Sequence, residues 1–214
     1  MLGASFEGEG QSGPPVQTGE NDLAMRTLII VPIVHSREDM GSLGLDSAPA
    51  LREAARRGIA FWTAMREGIE SLEQDWNGVK IYQDGLPDTV PELVEKIIGK
   101  APGQNYELLR WLVERGATVL GTEDPELLVE EHRLLKAISD ASGPPRARAR
   151  AAYADRASAI LSERDSYIAR RIDATLADGE TGVLFMGAAH QVEKKLPRDI
   201  VVRRLDIRPT KTEP

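Results

Sequence analysis

Five short apolar runs, Thr27–Val34, Val79–Gln83, Ala117–Gly121, Gly182–Gly187 and Ile200–Leu205, are separated by stretches whose apolar residues recur at helical spacing. This alternation constrains the fold more than any other feature. Repeated strand–helix order predicts an α/β architecture, with a mixed, largely parallel central sheet of about five strands flanked by long helices. The first run, TLIIVPIV, is near-continuous in β-branched and apolar residues, as a strand buried on both faces must be. Pro32 within it places that segment near an edge or at the strand's end.

Between the strands the helices carry their own signals. Ser47 with Pro49 opens a helix to about Trp76, with Leu51, Ala55, Ile59, Trp62, Met65, Ile69 and Leu72 on one face. Asp84-Gly85-Leu86-Pro87 is a turn signal, and helices follow over Thr89 to Ile98 and Asn105 to Arg115. Asp124 caps a helix that Pro125 begins and that runs to Asp140. After Ser142-Gly143-Pro144-Pro145, a long helix rich in alanine and arginine reaches about Leu176.

With 214 residues, of which 41% are hydrophobic and 29% charged, the chain suits one well-cored domain, expected over 26–208. Residues 1–25, rich in Gly, Ser, Gln and Glu with Pro14-Pro15, read as a disordered tail, and 209–214 as a flexible C-terminus. The tail lacks the basic and apolar regions of a signal peptide, and no run approaches the roughly 18 apolar residues of a membrane span, so the expected compartment is the cytoplasm. Gly8-Glu9-Gly10-Gln11-Ser12-Gly13 matches the dinucleotide-binding glycine pattern, but no strand precedes it and no helix follows.

Charge and cysteine content narrow the chemistry. A formal charge of -7 argues against nucleic acid or an anionic membrane as partner. The basic segment Arg146-Ala-Arg-Ala-Arg150 has no interleaved aromatics and reads as a solvated helix face. Without cysteine there are no disulfides, thiolate zinc sites or thiol nucleophiles, and any metal must be held by histidine and oxygen. Phosphate-binding loops, HExxH and Gly-x-Ser-x-Gly elbows are absent. Ser36 points away from its neighbour His35 if both lie on a strand, which argues against a serine nucleophile there.

What remains collects at the strand ends: His35, Asp84, Glu123 with Asp124, and His190. Beyond the carboxyl ends of parallel strands lies the usual ligand crevice of such sheets, so these side chains are expected to converge there. Two imidazoles with one or two carboxylates, His35, His190, Asp84 and Glu123, form a suitable shell for zinc, manganese, cobalt or iron. The same groups equally suit a metal-free acid and base pair. Asp84 before Gly85 is also ordinary turn chemistry, and His132 in a charged helix reads as a surface residue.

The order of these features resembles the TraB/PrgY, Tiki, GumN, ChaN and erythromycin-esterase-like superfamily. The likeness covers roughly Thr27 to Leu205 and is carried by the first strand ending in His35, a carboxylate after an inner strand, Glu163-Arg164-Asp165, and Gly187-Ala188-Ala189-His190. It implies an α/β core with paired histidines and an acidic residue around a polar cleft, in relatives that act as metal-dependent proteases, open lactones or bind haem. His35 and His190 match the two motif histidines, Asp84 or Glu123 the acidic residue, and Arg164 a basic residue ahead of the last core strand. Two departures stand out: Pro32-Ile33-Val34-His35 lacks the family's glycine, and Gln83-Asp84 replaces a strand-end glutamate.

Two functions are therefore expected. One is a metal-dependent hydrolase of a small-molecule or peptide substrate with an amide or ester bond, in which His35, His190, Glu123 and Arg164 are catalytic and zinc, manganese or cobalt activates a water. The other is a non-catalytic binding or signalling domain that takes haem or a carboxylated metabolite in the same cleft. The long helices also offer faces for a homodimer.

Overall fold

The computed structural model describes residues 25–33, 48–72 and 74–205, of which 48–57 as backbone only. The N-terminal tail with its glycine pattern, His35 and Ser36, and the C-terminal residues from 206 lie outside the described residues. The elements run β1 (Arg26–Ile33), α1 (Ala48–Glu70), β2 (Lys80–Gln83), α2 (Pro91–Lys100), α3 (Gln104–Val113), β3 (Thr118–Leu120), α4 (Pro125–Asp140), α5 (Gly143–Thr175), β4 (Thr181–Gly187) and β5 (Ile200–Arg204). The strands form one sheet in the order β3-β2-β4-β1-β5, and every pairing is parallel. The expected mixed sheet is thus wholly parallel among the described strands, since each connection is long enough to contain a crossover helix.

Both faces of the sheet are buried, which explains why the strands read as apolar runs. Ile29, Val31, Ile33, Ile81, Val183 and Phe185 face Trp62, Met65 and Ile69 of α1 and Leu108, Leu109 and Leu112 of α3. The intervening residues Leu28, Ile30, Tyr82, Leu184 and Met186 face Ile168, Ala169 and Ile172 of α5. This is a three-layer sandwich, with the period-two alternation of each strand dividing its side chains between two cores. Gly182 is tightly enclosed: a Cβ there would lie 3.0 Å from the Tyr82 ring and 3.2 Å from Leu176, so a larger residue would have to push these side chains aside.

Pro32 does not mark an edge, for β1 lies between β4 and β5. Thr27 N–H donates towards β4, to Glu180 O, whereas Leu205 N–H donates to Ile30 O from the β5 side. Pro32 therefore has its missing donor on the β5 side, two residues past the last pair, Ile30 with Arg204. The proline coincides with the end of that ladder.

The first helix also stops earlier than its periodicity implies, at Glu70 and not near Trp76. The Ser71 hydroxyl donates to Gly68 O, and the Asp75 carboxylate accepts from Asn77 N–H just before Gly78, whose φ is 77°. Trp76 leaves the helix to pack edge-on against Trp111 in the core. Its apolar character belonged to the core and not to the helical stripe.

The hairpin of α4 and α5 is held differently. Among its described residues α4 buries none, and the guanidinium of Arg156 on α5 bridges Glu130 on α4 and Glu163 on its own helix. Arg26 at the start of β1 is buried by the carboxylates of Asp173 and Asp199 and by the carbonyls of Asp173 and Leu176, pinning the strand to the end of α5.

Candidate functional site

The carboxyl ends of β2, β3 and β4 bring Asp84, Glu123 and His190 to one edge of the sheet, and α5 delivers Arg164 and Asp165 to the same place. The parallel register makes this inevitable for Asp84 and the β4 turn: Gln83 pairs with Phe185, so Asp84 N–H continues the ladder to Phe185 O at 2.9 Å. Its side chain then turns back onto β4, where Oδ2 accepts from Gly187 N–H at 3.0 Å. Glu123 is placed by a close approach of backbones. A Cβ on Gly121 would lie 2.4 Å from Pro87 O and 2.7 Å from Asp88 Cα, so only glycine lets the chain after β3 run beside 86–88. Pro87 and Glu123 form a parallel bridge there, and Gly85 N–H donates to Glu123 Oε1 at 2.7 Å.

Arg164 lies at the centre of the carboxylates. Its Nε and Nη2 donate to the two oxygens of Glu123 at 2.5 and 2.6 Å, Nη2 also donates to Asp84 Oδ1 at 2.8 Å, and Nη1 donates to Glu131 Oε2 on α4 at 2.6 Å. Burial works against the charged guanidinium, but Glu123, Asp84 and Glu131 outweigh it and hold Arg164 protonated at any accessible pH. Burial pushes the Glu123 carboxyl above its ordinary range, against the pull of Arg164. The fork of two hydrogen bonds from Arg164 is the strongest recognition a carboxylate can receive from one side chain.

His190 completes the cluster. Its Nδ1 lies 2.6 Å from Asp165 Oδ1, and its Nε2 lies 3.4 Å from Asp84 Oδ2. The second oxygen of Asp165 accepts from Gln191 N–H at 2.9 Å, so the aspartate locks both the ring and the backbone that follows it. Burial alone would lower the imidazole pKa; the Asp84 and Asp165 carboxylates overcome it and raise the value to about 9. At neutral pH His190 is thus an imidazolium, hydrogen-bonded to Asp165 through Nδ1 and ion-paired with Asp84 through Nε2.

Of the strand-end residues expected to converge, Asp84, Glu123 and His190 are within one polar network, Asp124 is not, and His35 lies outside the described residues; Arg164, named through the resemblance, joins that network. Glu123 is fully buried with both oxygens engaged, behind Arg164 and not open to the crevice. Asp124 caps α4 through a bond from Glu126 N–H at 2.8 Å and stands outside the network, and His132 is exposed. Asp165 and Glu131 are additions that sequence reasoning did not assign. Asp165 had a signal, because with Arg164 it interrupts the buried stripe Ile160, Ile168, Ala169 and Ile172 of α5. Glu131 had none, since it lies in a charged run whose inner side is set only by the packing of α4 on α5.

The family likeness implies a divalent ion, but the described donors do not fit one. Arg164 Nη2 bridges Asp84 and Glu123, so the positive charge a metal would bring is already supplied by a guanidinium. Among the described residues no group of three or more His, Asp or Glu is disposed to hold an ion. Chemically, the arrangement offers a proton donor, His190, in contact with a carboxylate acceptor, Asp84, both oriented by neighbours. Compared with family models, with curated proteins and with solved structures, the chain finds no match.

Proposed function

We propose that this cluster is the acid–base centre of a hydrolase that cleaves an amide or ester bond, with His190 and Asp84 exchanging the proton. The observation that carries the reading is the doubly clamped imidazolium: Asp165 at Nδ1, Asp84 at Nε2, both at the carboxyl edge of a parallel sheet. Perturbed, specifically partnered titratable groups of this kind are candidates for functional sites. Because Asp165 fixes Nδ1, Nε2 is the nitrogen free to exchange its proton.

In the reaction, Asp84 takes a proton from a water whose oxygen bonds to the substrate carbonyl carbon. The resulting oxyanion collapses, the C–N or C–O bond breaks, and the leaving atom takes the Nε2 proton of His190. Asp84 then returns its proton to Nε2 across 3.4 Å, restoring both groups. Arg164 aims Asp84 through the bond from Nη2. Four of the five guanidinium N–H groups are donated to carboxylates, and the second on Nη1, which has no partner among the described residues, is the candidate donor to the oxyanion.

The test is turnover of a panel of activated esters and aminoacyl amides by chelator-treated protein. The expected result is activity that survives chelation and falls by about 10²-fold or more in Asp84→Asn and His190→Asn. No turnover by the unsubstituted chain on any member would overturn the hydrolase reading, and activity restored only by manganese, zinc or cobalt would overturn the metal-free mechanism. One observation favours a non-catalytic ligand site instead: His190 is only 8% exposed and Glu123 not at all. A haem titration followed at the Soret band tests its simplest form, and an unchanged spectrum removes that ligand.

A further inference from the structure

The first half of α5 has an outer face with no neighbour among the described residues. The helix has 33 residues, about 50 Å in length, yet its buried positions begin only at Ile160. Over the preceding two dozen ångströms its described contacts are with α4, which itself buries nothing. On the side away from α4 the helix exposes Arg148, Ala151, Ala152, Asp155, Ser158 and Ala159, before Ser162 meets Lys195. Arg148 and Asp155 are seven residues apart, two helical turns, and therefore lie one above the other. Neither forms an ion pair among the described residues, although Lys and Arg elsewhere on the hairpin, Lys136 and Arg156, do.

Small residues alone would admit many neighbours, but these two charges select a copy of the same helix. When α5 is laid antiparallel on another α5 about a two-fold axis between Ala151 and Ala152, residue 148 meets residue 155 of the copy and 155 meets 148. One exposed pair becomes two reciprocal ion pairs around an alanine centre that lets the backbones approach closely, which is the self-complementarity an isologous interface requires.

We propose that the outer face of α5 pairs antiparallel with the same face of a second copy, through reciprocal Arg148–Asp155 contacts across Ala151 and Ala152. This surface is separate from the His190 cluster, and its existence does not depend on any activity there. Sedimentation velocity of the full chain across micromolar concentrations should show a monomer–dimer equilibrium that weakens with added salt. Arg148→Glu and Asp155→Arg should each weaken dimerisation at least about tenfold, and the double variant, which restores opposite charges across the axis, should recover it. Far-UV circular dichroism should be unchanged, since glutamate near a helix N-terminus is favourable. A chain that stays monomeric at every concentration would overturn the proposal, whether or not the arginines then bind a DNA duplex or an acidic protein. So would a dimer indifferent to both single variants.

Discussion

His190 and Arg164 carry the consequences that a single side chain can test. The imidazole pKa is raised from 6.5 to about 9, so the folded protein binds this proton more tightly than the unfolded chain. Its contribution to stability is present in full below about pH 6.5 and is lost as pH rises through about 9. The shift, with desolvation already included, corresponds to something on the order of 3 kcal/mol. Urea midpoints of the unsubstituted chain should therefore fall between pH 6.5 and 9.5, and that fall should shrink markedly in His190→Gln. Arg164→Leu leaves Asp84 and the fully buried Glu123 without their counter-charge, and should destabilise by about 3 to 5 kcal/mol at pH 8. The penalty should be smaller at pH 5, because Glu123, already pushed upward by burial, can then fold protonated. Denaturation of the variant at the two pH values checks the sign.

At the scale of elements, the site depends on backbone approach as much as on charge. Gly121→Ala would drive a methyl against Pro87 O and Asp88 Cα, which are main-chain atoms and cannot swing aside. A loss of about 1 to 3 kcal/mol is expected, together with a displaced Glu123 and a weaker fork to Arg164; thermal denaturation and the His190 titration report the two effects. The helices and strands themselves were largely legible in sequence. Pro125 and Asp124 define the start of α4, and apolar runs mark every strand, because each signal is local or has a short period. Trp76 misled the reading of α1 because apolar spacing does not say whether a residue is on a helix or folded back under it. Asp84, Glu123 and His190 could be foreseen as neighbours since parallel strands end on one side. The resemblance pointed to Arg164 as the holder of a carboxylate; that Glu131 would join Asp84 and Glu123 on it, or that Asp165 would fix the ring, could not be foreseen, because those contacts depend on how α5 is rotated against the sheet and α4 against α5.

At the scale of the whole molecule, the cluster is also a fastener. Residues adjoining β2, β3 and β4, together with α4 and α5, all end in a contact with Arg164, Asp84 or His190, so the proposed acid–base centre also ties these elements together. No helix among the described residues is long and apolar enough to cross a membrane. Against a net charge of -7, the start of α5 carries Arg146, Arg148 and Arg150, of which Arg148 is on the face assigned to a second copy. Everything proposed for the crevice rests on His190 being a cation held between two aspartates. A two-dimensional proton–nitrogen NMR titration of the ring nitrogens, with His35→Gln and His132→Gln identifying the signals, measures this directly. The account predicts a His190 midpoint near 9 that drops in both Asp84→Asn and Asp165→Asn. A midpoint at or below the ordinary 6.5, unmoved by either substitution, would contradict it.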